Sequence, residues 1–191
     1  MTFTQAIEVV AMLCGIAYAL LVVRRNRWAW LCGALSSGLL VWLAAGAALP
    51  LQALLQGAYV VMAAYGFWHW SRDATADAPV RITRWHTSTH AYALAAVALA
   101  TLLLAPLLAK HTAAASPWLD AAVTGLSLLA TLMTARAVLE NWVYWLVVDA
   151  ASLVLYGSQG LYFIATLYGV YFVIAVFGLR LWWRQFQRDG R

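Results

Sequence analysis

The chain is a succession of long apolar runs separated by short breaks that hold almost all of its charge. Crossing a bilayer takes roughly 20 residues of helix, and on that measure the runs fall at 5–23, 28–48, 49–70, 89–109, 118–139, 141–157 and 161–183. Two of the divisions need argument. No charged residue lies between Trp28 and Ser71. At about 1.5 Å per residue that stretch is too long for one helix across a core of about 30 Å, and Gly46 and Pro50 mark its turn. Between Asn141 and Leu179 the sole charge is Asp149, and Gly157-Ser158-Gln159-Gly160 supplies the break. The pattern predicts an all-α membrane protein of seven transmembrane helices.

Charge in the breaks orients the chain. Seven spans put the termini on opposite sides. Arg24, Arg25, Arg27, Arg72, Arg81, Arg84, Arg136, Arg180, Arg184, Arg188 and Arg191 then share one side, and only Lys110 falls on the other. Cytoplasmic loops carry the excess of Lys and Arg. The N-terminus is therefore expected in the periplasm and the C-terminus in the cytoplasm of a bacterial inner membrane. Counting six or eight spans spoils this asymmetry.

Composition agrees with the bilayer as solvent: 65% of the 191 residues are hydrophobic and 10% charged, against about a quarter charged in soluble domains. The net charge of +5 is spread over several breaks and forms no single patch for nucleic acid. Cys14 and Cys32 both sit in apolar runs, which excludes a disulfide framework or metal spacing. No Lys or Arg precedes the first run, so that run lacks the charged region of a signal peptide and is expected to remain as the first span.

Shifting the chain on itself by 112 residues superposes the third run on the seventh: Gly57 falls on Gly169, Tyr59 on Tyr171, Gly66 on Gly178, Trp70 on Trp182 and Arg72 on Arg184. The same shift places Glu8 on Asp120 and Arg24 on Arg136, while a shift of 115 matches Asn26 with Asn141, Trp30 with Trp145 and Ser37 with Ser152. Spans one to three thus match spans five to seven, in parallel because the offset is four helices. The expected organisation is a first three-helix bundle over 1–72, a linker with the fourth helix over 73–116, and a second bundle with a short cytoplasmic tail over 117–191. Parallel repeats occur in transporters, with substrate held near the midplane between them.

Within the sixth run, Trp142, Trp145, Asp149, Ser152 and Tyr156 recur at helical spacing and share one face. Asp149 lies about halfway along. A carboxylate at that depth is costly and marks a functional site by default; the plain alternative is a strut bonded to a neighbouring helix. Gln52, Gln56, Tyr59, Ala63, Gly66 and Trp70 make a similar stripe in the third run, and Tyr168 and Tyr171 hold the matching register in the seventh. Two amides within a span need partners, and the glycines suit close helix packing. Together the stripes offer an aromatic cage for a flat cation, each cation–π contact contributing roughly 0.5–2 kcal/mol. Trp28, Trp70, Trp182 and Trp183 read as interfacial belt residues. His86 and His90 lie four apart at a loop edge without acidic or cysteine company, and His69 and His111 also look interfacial. No Ser/His/Asp grouping, phosphate loop or paired carboxylate supports an enzyme.

The string Leu139-Glu140-Asn141-Trp142-Val143-Tyr144-Trp145-Leu146-Val147-Val148-Asp149 resembles the PnuC family of vitamin transporters. Leu55-Gln56 with Tyr65-Gly66-Phe67-Trp68-His69-Trp70, and the run from Gly160-Leu161-Tyr162, resemble the same family. The resemblance implies a 3+1+3 fold like that of the SWEET sugar transporters and a homotrimer. It also implies uptake of nicotinamide riboside by facilitated diffusion, trapped by intracellular phosphorylation, with no cofactor. The family's Trp-x-x-Trp motif lands on Trp142 and Trp145 and its third-helix glutamine on Gln56, with Asn141 inside the same string. Phe67 and Trp68 stand where Trp and Tyr are expected. The family includes thiamine carriers of similar length, which makes thiamine the alternative substrate. A membrane receptor or interaction subunit without transport is the reading from a different class.

Overall fold

The computed structural model describes residues 3–47, 50–73, 79–111 and 116–189. Among these residues seven helices follow one another: α1 Phe3–Val23, α2 Ala29–Gly46, α3 Pro50–Asp73, α4 Thr87–His111, α5 Pro117–Ala135, α6 Asn141–Ser158 and α7 Tyr162–Asp189. Five of them, α1, α2, α4, α5 and α7, are long and apolar enough on their own to cross a membrane. The other two are diluted by polar residues, Gln52, Gln56 and His69 in α3 and Asn141, Asp149 and Ser152 in α6. Arg191, counted above with the arginine-rich side, lies outside the described residues.

Two ends differ from expectation for physical reasons. α5 stops at Ala135, four residues early, because Ala137 takes a left-handed conformation (φ 51°). α7 runs on to Asp189 because Trp182 and Phe186 continue to pack on the buried core. Glu140, beyond that stop, pairs with Arg84.

α1 packs on α2, α2 on α3, α5 on α6 and α6 on α7, while α3 meets α5 and α1 meets α7. Six helices thereby close a ring, and α4 lies against α5. The ring's contacts map onto themselves when α1, α2 and α3 are exchanged for α5, α6 and α7.

Detail at the arginine-rich end repeats in the same way. Arg25 and Ala137, 112 positions apart, are the described non-glycine residues with positive φ. Each closes a helix with the Schellman pair of bonds: Arg25 N–H to Val22 O and Asn26 N–H to Leu21 O, then Ala137 N–H to Thr134 O and Val138 N–H to Met133 O. Trp70 donates its indole N–H to Ala135 O, and Trp182 donates to Val23 O, both at 3.1 Å. Trp30 meets Trp70 edge to face at 5.5 Å, as Trp142 meets Trp182 at 5.4 Å. Trp30 lies on Gly66 and Trp142 on Gly178. Trp30 therefore corresponds to Trp142, at the single offset of 112, rather than to Trp145 as the letter matches of the second helix suggested.

Trp30, Trp70, Trp142 and Trp182 are 0–3% exposed, so Trp70 and Trp182 are core residues and not belt residues. Trp28 and Trp183 remain exposed. Residues 79–86 form a strap across this end. Val80 and Ile82 insert into the tryptophan core, Thr83 exchanges backbone bonds with Ala137 and Leu139, and Arg84 grips Glu140 at 2.6 Å. On the other half, Arg25 donates to Val80 O. The strap joins the α1–α2 turn to the α5–α6 turn and seals the arginine-rich end.

Candidate functional site

α6 turns its polar face into the ring, and that face divides into three levels. At the sealed end Trp142 packs between Gly178 and Trp182. Beside it Asn141 is fully buried; its Nδ2 donates to Val138 O at 2.6 Å and its Oδ1 lies 3.1 Å from Thr134 Oγ. Both residues serve the α5–α6 turn and the tryptophan quartet. Truncating a buried amide whose partners stay behind costs about 1–3 kcal/mol. Asn141→Ala is therefore expected to lower the thermal midpoint in detergent clearly, and an unchanged midpoint would remove this role.

The middle level is the centre of the ring. Trp145, half-buried, donates its indole N–H to Thr134 Oγ at 3.2 Å, which ties its orientation to the Asn141 network. One turn further Asp149 is 3% exposed, and no cationic side chain among the described residues pairs with it. Tyr168 and Tyr171 of α7 stand within electrostatic reach of its carboxyl. Ser152, fully buried, lies beside the Tyr168 hydroxyl. Tyr59 of α3 reaches Ser127 of α5, and Tyr171 reaches Gly15 of α1. Tyr18 of α1 brings a buried hydroxyl that has no hydrogen-bond partner among the described residues.

Toward the far end Tyr156 and Tyr168 stack in parallel, 8° between planes and 5.4 Å between centres, and Tyr171 meets Tyr168 edge-on at 6.3 Å. Gln56 is half-buried one turn from Tyr59, and Gln52 is exposed a turn beyond it.

The residues expected from sequence thus separate. Asp149, Ser152, Tyr59, Tyr168 and Tyr171 converge on the centre. Trp145 packs between them and the seal, where it is bonded to Thr134. Gln56 lies a turn from Tyr59, Gln52 opens to the surface, and Asn141 and Trp142 belong to the seal. Sequence reasoning missed Tyr18, Gly15 and Ser127. The 112-residue offset carried the signal, because it sets Gly15 on Ser127 just as it sets Tyr59 on Tyr171. His90 makes a 2.9 Å hydrogen bond to Tyr144 and stacks on it, fixing α4 to α6.

A buried carboxylate without a cation, walled by tyrosines and hydroxyls, can hold a planar ring and accept hydrogen bonds from a polyol. A positive charge on the ring would meet Asp149 and the aromatic faces together.

The nicotinamide mononucleotide transporter family model matches residues 5–184. The riboflavin/roseoflavin transporter RibM of Streptomyces davaonensis is 29% identical over 187 residues, 96% of this chain and 87% of its own. The nicotinamide riboside transporter PnuC of Escherichia coli is 25% identical over 154 residues, 68% of this chain and 64% of its own. In three dimensions, the crystal structure of the vitamin B3 transporter PnuC aligns with a TM-score of 0.77 at 20% identity. That alignment covers 96% of this chain and 83% of the other, and it shows the fold.

Proposed function

The chain belongs to the nicotinamide mononucleotide transporter family, a family of multi-pass membrane carriers and not of enzymes, and on that premise we propose that it conducts a flat cationic vitamin by facilitated diffusion. Nicotinamide riboside is the first choice and thiamine the alternative. Asp149 carries the reading: it is a buried carboxylate, facing tyrosine rings at the centre of the helix ring, with no cation of its own among the described residues. A substrate that supplies the missing charge offsets the cost of keeping that carboxylate out of water. Riboflavin is a second reading, favoured by the relative RibM, which aligns over nearly the whole chain. Riboflavin carries no positive charge, so Asp149 would serve it as a hydrogen-bond acceptor for the ribityl hydroxyls.

The self-mapping ring supports a 3+1+3 arrangement of bundles over 1–72 and 117–191, with alternating access by rocking of one against the other. The clustering of arginine-bearing turns at the sealed end supports a cytoplasmic assignment for that end. A homotrimer and trapping of the substrate by phosphorylation complete the reading.

The only deep carboxylate among the described residues is occupied by the substrate's charge in this account, which leaves no site for a driving ion among them. Liposomes containing the purified protein are therefore expected to take up labelled nicotinamide riboside until inside and outside concentrations are equal. An imposed proton or sodium gradient should not change that endpoint. Accumulation above the outside concentration would refute passive transport, and failure to move nicotinamide riboside, thiamine or riboflavin would refute the carrier reading.

A further inference from the structure

Tyr171 crosses from α7 toward α1, and its hydroxyl ends on Gly15. A Cβ at Gly15 would stand 2.7 Å from that oxygen, 3.5 Å from Ser36 Oγ and 3.9 Å from Tyr171 Cζ. The first separation is shorter than a carbon without a hydrogen to share keeps from an oxygen, so one of the two would have to give way. Ser36 cannot easily yield space, because its hydroxyl is committed to Ala11 O at 2.7 Å. Tyr171 is flanked by Tyr168, which is itself stacked on Tyr156. Asp149 stands within electrostatic reach of Tyr171, so a shift of Tyr171 is felt at the site.

The related position on the other half, 112 residues on, is Ser127. There the helix does carry a Cβ, and its hydroxyl meets the Tyr59 hydroxyl. One tyrosine is thus stopped by a side chain, while its counterpart is admitted onto bare backbone.

We propose that Gly15 is a specificity-determining position of this carrier: by omitting a Cβ it lets Tyr171 seat against α1 and so sets the width of the site between Tyr171 and Asp149. The inference rests on the carrier reading above. Gly15 touches no substrate; it acts through Tyr171. A side chain at Gly15 drives the phenol off α1 by several tenths of an ångström. That narrows the slot more severely for a fused three-ring ligand than for a single ring.

The test is a double-mutant cycle on the purified full-length protein, with nicotinamide riboside as the one-ring probe and riboflavin as the three-ring probe. Dissociation constants are measured by calorimetry for wild type, Gly15→Ala, Tyr171→Phe and the double variant, with a thermal midpoint for each. Gly15→Ala is expected to weaken riboflavin at least about tenfold more than nicotinamide riboside, the lower end of the discrimination that one methylene produces in a tight pocket. In the Tyr171→Phe background the same change should cost less than about twofold, because the colliding oxygen is gone and the contact left at 3.9 Å is ordinary.

An unchanged ratio between the probes would overturn the inference, as would equal costs in both backgrounds. General destabilisation would lower both affinities by one factor together with the thermal midpoint. Should wild type bind a single probe, coupling between the two substitutions on that probe decides. Should it bind neither, the carrier reading fails first, visibly in the wild type, and this inference falls with it.

Discussion

Gly178→Ala is expected to leave little functional protein. A Cβ there would meet three atoms of the Trp142 six-membered ring, each at 2.6 Å. Trp142 cannot retreat, since it is 3% exposed and held edge-on against Trp182, whose N–H is bonded to the end of α1. Relief must come from the α6–α7 backbone. Overpacking typically costs 1–3 kcal/mol and can exceed that in a rigid site, so a loss of about 3 kcal/mol or more is expected. Gly66→Ala should behave alike, because its Cβ would collide with three atoms of the Trp30 indole. Gly57→Ala and Gly169→Ala provide the controls, since open space surrounds both positions. Each should be neutral or slightly stabilising through helix propensity. Thermal unfolding of the four variants in detergent decides it: similar midpoints throughout would mean that the tryptophan–glycine contacts do not limit stability.

The second large effect is expected at Asp149. Asp149→Asn keeps size and hydrogen-bonding capacity but removes the charge. If the bound vitamin is a cation, it loses its counter-charge, and truncating one partner of a buried charge pair costs about 2–5 kcal/mol, on the order of 30-fold or more in affinity. A neutral ligand such as riboflavin should change by no more than about threefold, because the amide still accepts from hydroxyls. Titrating nicotinamide riboside, thiamine and riboflavin into both proteins therefore separates the two readings of the site. Unaltered affinity for all of them would reduce Asp149 to a strut.

Much of this architecture was legible in the letters. The spacing of arginines fixed the number of helices, and hydrophobic runs placed most of their ends within a few residues. The face of α6 was legible too, because helical spacing decides which side chains share a side. What spacing could not reveal is depth along the face. Trp142 and Trp145 are one turn apart and look equivalent, yet the first is sealed on Gly178 and the second borders the centre. Trp70 and Trp182 looked interfacial from their place near arginines, but each indole N–H finds a carbonyl at the end of a helix remote in sequence. Gly15 was legible only as the partner of Ser127 in the repeat, because a missing Cβ means something only once the tyrosine that lies on it is known. The second-helix register was misjudged because matching letters favoured Trp145, whereas a tryptophan seated on a glycine is a geometric equivalence.

The tryptophan quartet also has an optical consequence. Indoles whose centres lie 5.4–6.3 Å apart with planes inclined by 48–89° share their electronic excitations, and such coupling gives paired bands of opposite sign in circular dichroism. Trp30 with Trp70 lies on one half of the ring and Trp142 with Trp182 on the other, and Trp70 and Trp182 join them at 6.3 Å. Motion that parts the halves at the arginine-rich end stretches that contact, together with the Trp70–Ala135 and Trp182–Val23 bonds, while each edge-to-face pair lies within one half. The protein thus carries its own spectroscopic reporter of opening at that end, requiring neither label nor substitution.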